Sequence, residues 1–141
     1  MHQWEEEHYD INKELDHEIM SIPTILSRGY AIVIMKTSRI CPDVFSGEHY
    51  KEGIFTAIDR VRSGNSWGII ASWAWGASRI MDYLETDKDI DEKRVAVIGH
   101  SRSGKTALWA GAQDERFAMA VSNNSGCSGA AMTRGKRGEH I

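Results

Sequence analysis

The chain has 141 residues, 41% of them hydrophobic and 26% charged, with a formal net charge of −3. That is the size and make-up of one globular domain or part of one. Mixed charge without a long single-sign run gives no sign of a nucleic-acid surface, and no apolar run approaches the roughly 20 residues that span a bilayer.

Taken in chain order, the opening MHQWEEEHYD is acidic and polar, unlike a secretory signal. Residues 11–28 (INKELDHEIMSIPTILSR) show a helical pattern that breaks near Pro23, and Gly29 follows as a helix exit. YAIVIMKT then predicts a strand covered on both faces. Residues 38–50 (SRICPDVFSGEHY) read as loop, and KEGIFTAIDRVRSG as a short helix ending at Gly64.

SWGIIASWAWGASRIMDYLE, residues 66–85, predicts a helix capped by Asn65 or Ser66 and apolar almost all round. Trp67, Trp73 and Trp75, interleaved with Gly68, Ala71, Ala74 and Gly76, point to core packing against a sheet rather than to a carbohydrate platform. TDKDIDEK is a polar turn, RVAVIGH a second buried strand, SGKTALWAGAQD a helix and FAMAVSN a third strand. SNNSGCSGAAMTRGKRGEH shows no regular pattern. The alternation is that of an α/β protein with a parallel sheet. Three strands are few for such a sheet, so residues 1–141 are expected to be the central part of a single, incomplete domain.

The two cysteines, Cys41 and Cys127, are too few for a disulfide framework and read as unpaired structural thiols. Cys127 in SGCSG is the alternative nucleophile, without a histidine that stands out as its partner. No C-x-x-C occurs and the six histidines have no zinc-ligand spacing, so neither a metal nor a cofactor is expected.

GHSRSGKT, residues 99–106, fits two patterns. As G-x-x-x-x-G-K-[ST] it is a phosphate-binding loop, with Lys105 on the β/γ oxygens and Thr106 on magnesium. Such a site also needs a carboxylate after another buried strand, and FAMAVSNNSG supplies none. As a strand–turn–helix it is a nucleophile elbow around Ser101, with small residues two positions away at Gly99 and Ser103. Ser101 then projects at a helix N-terminus, where the Arg102 N–H can serve as an oxyanion donor. Lys105, four residues on, would border the same cavity.

At these residues the chain resembles the bacterial branch of the glucuronoyl esterases. The resemblance runs from RGYAIVIMKT through CPD, the WAWG helix, the G-x-S-R-x-G-K elbow and AGAQDERF to RGE. It implies a partial α/β-hydrolase fold, a parallel sheet with flanking helices and a nucleophile elbow. It implies a serine carboxylic ester hydrolase acting through an acyl-enzyme on esters of (4-O-methyl-)glucuronic acid in glucuronoxylan or lignin–carbohydrate linkages. Ser101 would be the nucleophile, Arg102 the oxyanion support through backbone and side chain, and Lys105 a contact to the uronic acid hydroxyls.

Many relatives carry a catalytic Glu where this chain has Asn124, which cannot stabilise an imidazolium as a carboxylate does. The resemblance therefore implies an acid on a later loop and a later histidine. His100 is expected to point away from Ser101, and His140 is not expected to join a triad. Secretion or a periplasmic location is also implied, while charge and apolar-run length lead to the expectation of neither a nucleic-acid nor a membrane partner. Acetylxylan esterase activity, a nucleotide-binding loop and a hydrolase-like domain without catalysis are the alternatives.

Overall fold

The computed structural model describes residues 21–44, 51–58, 63–132 and 134. The chain divides into two units, Met1–Ile34 and Met35–Ile141. In the first, helix α1 spans Ile22–Ser27 with Pro23 in its first turn. A proline there forfeits an N–H that has no helical partner anyway, so Pro23 opens a helix instead of breaking one; residues 11–20 lie outside the described residues. Gly29 has φ +79°. Its N–H reaches Leu26 O at 2.9 Å and that of Tyr30 reaches Ile25 O at 3.3 Å, which satisfies two carbonyls at the helix end.

The strand expected over residues 30–37 does not form among the described residues. A strand is defined by its neighbour, and the two described strands pair with each other. Tyr30, Val33 and Ile34 are correspondingly exposed.

In the second unit a 3-10 turn at Thr37–Arg39 leads to Cys41, which is fully buried. Helix α2, Phe55–Ile58, follows; it is shorter than the helix predicted over residues 51–64, since residues 51–54 and 63–64 are not α-helical and residues 59–62 lie outside the described residues. Cys41, Phe55 and Trp73 form one core cluster with Ile40, Ile69 and Ile70 around it. The indole Nε1–H of Trp73 donates to Cys41 O at 2.9 Å, so this buried ring keeps its polar atom satisfied.

Helix α3 spans Ile69–Leu84. Its N-cap is Gly68, not Asn65 or Ser66, because the Ser66 hydroxyl accepts from Ser63 N–H at 2.8 Å and is spent on that turn. Trp67 consequently lies outside the helix and is exposed, and Trp75 is half-buried beneath the Arg79 guanidinium. Only Trp73 of the three is fully in the core. At Gly76 a Cβ would meet the end of the Ile40 side chain, so that side chain occupies the space the glycine leaves.

Strand β1 (Ala96–His100), helix α4 (Arg102–Gln113) and strand β2 (Met119–Asn123) form one parallel βαβ unit, in register from Ala96↔Met119 to His100↔Asn123. The small residues Ala74 and Ala77 of α3 and Ala110 of α4 pack together, with Val97 and Phe117 against them. One sheet face is thus covered by helices. On the other, Ile98 is 58% and Met119 61% exposed. The expectation of strands buried on both faces fails here: among the described residues the helices cover one side only.

Arg116, in the turn between α4 and β2, ties this unit to the end of α3. Its guanidinium donates to Asp114 at 2.7 and 2.8 Å, to Asp82 at 2.9 Å, to Glu85 at 2.7 Å and to Ser78 O at 3.2 Å. The Arg116 side chain beside Asp114 lowers that carboxyl to about 2. A carboxylate depressed on folding contributes stability that is complete above its unfolded pKa of about 3.9 and lost as pH falls through about 2. With Asp114 only 10% exposed, the contribution is at most on the order of 2 kcal/mol. Urea unfolding of the full-length protein at pH 5 and pH 2.5 should therefore show a smaller acid-induced loss in Asp114→Asn than in the wild type. Equal losses would remove this residue from the acid response.

Candidate active site

The elbow is built by its small residues. A Cβ on Gly99 would overlap the carbonyl of Ser103, so the end of β1 and the first turn of α4 lie in direct backbone contact. Gly104 is as constrained: a Cβ there would lie 3.0 Å from Asn123 O and 3.1 Å from both Gly99 O and Ser125 Cβ. Sequence reasoning assigned the second small position to Ser103 and missed Gly104. The pattern counts outward from the serine, whereas the tight packing falls where α4 passes the end of β2.

Between them Ser101 has φ +53° and ψ −120°, a conformation that a non-glycine residue adopts only when its surroundings impose it. They do so at both ends. Ser101 N–H donates to Asn123 O at 2.9 Å, and Ser101 O accepts from Lys105 N–H at 3.2 Å. The side chain is thereby turned out at the N-terminus of a twelve-residue helix, and Ser101 is exposed. Unpaired N–H groups there carry partial positive charge.

This geometry overturns the phosphate-loop reading. A phosphate cradle needs several loop residues between strand and helix. Here β1 ends at His100 and α4 begins at Arg102, which leaves Ser101 alone between them. Thr106 is 3% exposed and its hydroxyl donates to Arg102 O at 3.1 Å, inside the helix where no metal reaches it. Among the described residues no group of three or more metal-ligating side chains occurs.

A cavity of about 330 Å³ opens beside the elbow, lined by Thr37, Asp43, Trp73, His100, Ser101, Arg102 and Ser103. The Arg102 guanidinium forms an ion pair with Asp43. His100 also belongs to the cavity wall, and among the described residues no hydrogen bond joins it to Ser101.

Lys105 is not brought to this cavity. It is 5% exposed and lines a separate depression of about 510 Å³ with Ile69, Ile70, Leu108 and Trp109. The four-residue spacing places two side chains on one helix face only when both residues are helical. Ser101 is a cap with its own dihedral angles, so its side chain leaves that periodicity.

Beyond β2, Asn124 is exposed with φ +48°, a left-handed position that asparagine tolerates well. Ser125 is buried and accepts from Ala130 N–H at 2.8 Å. Cys127 lines neither depression, and it forms no disulfide with Cys41. His140 lies outside the described residues. Asp43, Thr37 and Trp73 are the cavity residues that the sequence did not single out as such. No spacing rule connects positions so far apart in the chain; only the CPD tripeptide marked the loop that carries Asp43.

Residues 14–140 match the family model described as "Glucuronyl esterase, fungi". Carbohydrate esterase MZ0003, from an unknown prokaryotic organism, is 46% identical over 121 residues, which are 85% of this chain and 28% of that protein. The 4-O-methyl-glucuronoyl methylesterase of Hypocrea jecorina (strain QM6a) is 33% identical over 108 residues, 75% of this chain and 23% of the relative. Among solved structures, a glucuronoyl esterase from Solibacter usitatus superposes with a TM-score of 0.72 at 48% identity. That match covers 81% of this chain and 30% of the other. A carbohydrate esterase family 15 glucuronoyl esterase from Caldicellulosiruptor kristjansonii gives 0.69 at 39% identity, covering 77% and 29%. The chain thus spans less than a third of the length of these relatives.

Proposed function

The chain belongs to the glucuronyl esterase family and has the α/β-hydrolase fold, and on that footing we propose that the protein hydrolyses esters of (4-O-methyl-)glucuronic acid through a serine acyl-enzyme. The observation that carries the reading is the imposed backbone of Ser101 at the N-terminus of α4, with Arg102 beside it at one cavity.

In this reading the Ser101 Oγ attacks the ester carbonyl and gives its proton to a base. The alcohol leaves with a proton, and water then releases the uronate. The carbonyl oxygen gains charge in each step. The N–H of Arg102, the field of the helix N-terminus and the guanidinium cation favour that charge where it forms. The substrate is xylan- or lignin-bound uronate ester, and the protein acts outside the cytoplasm, where such polymers occur.

In this reading the uronate extends from the Ser101 cavity to the separate depression that Lys105 lines, where Lys105 contacts its hydroxyls, and that contact gives the proposal its sharpest test. The full-length wild-type protein should split a glucuronate ester in preference to a simple acetyl ester. Lys105→Ala should lose about tenfold more on the former than on the latter. Hydrolysis of the acetyl ester alone by the wild type would make the protein an acetyl esterase; equal losses in the variant would remove Lys105 from uronate recognition.

A further inference from the structure

Resting on the reading of Ser101 and Arg102 just given, we propose that Asp43 is a positioning residue that holds the Arg102 guanidinium at the wall of the Ser101 cavity. Asp43 Oδ1 pairs with Arg102 Nη1, and both residues line that cavity. Three observations set this pair apart from an ordinary surface ion pair, which contributes little.

The first is anchorage. Asp43 stands two residues after Cys41, which is 0% exposed and whose carbonyl accepts the buried Trp73 indole N–H at 2.9 Å. The loop is thus fastened to α3 directly before it presents its carboxylate, and Trp73 itself forms part of the cavity wall. The second is the location of the cation. Arg102 is the first residue of α4, where a positive charge opposes the helix dipole and does not serve helix stability. A carboxylate brought to it from another part of the chain offsets that conflict and keeps the cation where the helix alone would disfavour it. The third is exposure: the Arg102 side chain is 22% exposed against 42% for Asp43, so solvent screens the carboxylate more than the cation it holds.

An arginine has four side-chain torsions to fix before its guanidinium can face a developing oxyanion. A carboxylate that fixes them in the resting protein removes that ordering step from the approach to the transition state. Asp43 need not touch the substrate to do so; it acts through Arg102.

The test is a double-mutant cycle in the full-length protein on a glucuronate ester. Asp43→Ala should lower kcat about tenfold with KM changed less than about twofold. Asp43→Glu, which keeps the charge, should recover part of the loss. In an Arg102→Ala background Asp43→Ala should cost nothing further. A loss of the same size in both backgrounds, or wild-type kcat in Asp43→Ala, overturns the proposal. A second readout does not depend on turnover. With 15N-labelled arginine, the Arg102 Nε–H signal (identified by its absence in Arg102→Ala) should shift and broaden in Asp43→Ala while other arginine signals stay. If the wild type hydrolyses no ester, the function reading falls but this readout still decides on Asp43. An unmoved signal means that the carboxylate does not hold the guanidinium.

Discussion

Ser101→Ala in the full-length protein should lower turnover of a glucuronate ester by about three orders of magnitude or more. The oxygen removed is the one that forms the acyl-enzyme, and no neighbour replaces it. Ser103 lines the same cavity, but it is the second residue of α4 and lacks the φ +53° that turns Ser101 out. Cys127 lines neither depression. Residual activity should come from the oxyanion donors and substrate positioning alone, which is why the loss is not total. Substrate affinity should be nearly unchanged, because the hydroxyl contributes to bond formation more than to binding. Steady-state kinetics with enzyme of equal purity and equal thermal midpoint makes the comparison. A loss of less than about tenfold would end the assignment of Ser101 as nucleophile.

The second large effect is on stability. Gly99→Ala should destabilise the protein by about 3 kcal/mol or more, or leave it insoluble. The added methyl would overlap the Ser103 carbonyl, a backbone group that no rotamer change can move aside. Relief requires β1 and α4 to separate. That motion breaks the Ser101 N–H to Asn123 O bond and opens the Gly104 contacts, which are already at 3.0 to 3.1 Å for a hypothetical Cβ. Gly68→Ala is the control, since nothing lies within 4 Å of a Cβ there and its φ of −93° suits any residue. Urea unfolding of both variants should separate them widely. A Gly99→Ala protein within about 1 kcal/mol of the wild type would show that the elbow can relax.

What could be read from the sequence was whatever local chemistry decides. Strand β1, helix α4 and strand β2 each carry their own apolar pattern within a few residues, and Gly29 marks a helix exit by its own backbone freedom. The elbow belongs with these, because a strand, one turned residue and a helix follow directly in the chain. What depended on partners was not legible. YAIVIMKT has the composition of a strand, but composition does not supply a neighbour to pair with. Ser66 looks like a cap until Ser63 claims its hydroxyl. Lys105 shares a helical spacing with Ser101 and still lines a different depression, because one of the two is a cap and not a helical residue. Asp43 reaches Arg102 across a long stretch of chain, and pairings of that kind leave no periodicity behind.

The βαβ unit also has a consequence for the order of folding. Its strands pair in a fixed register across one intervening helix, so the chain closes a short loop that α4 itself shortens. The Cys41–Trp73 and Asp43–Arg102 contacts close longer loops and bring in segments that precede this unit. Entropy therefore favours assembly of the elbow before the loop that carries Asp43 docks on it. Damage inside β1–α4–β2 then acts mainly on the rate of folding, and damage to the docked loop mainly on the rate of unfolding. On loop length, the strained serine is expected to form before its charged neighbour docks.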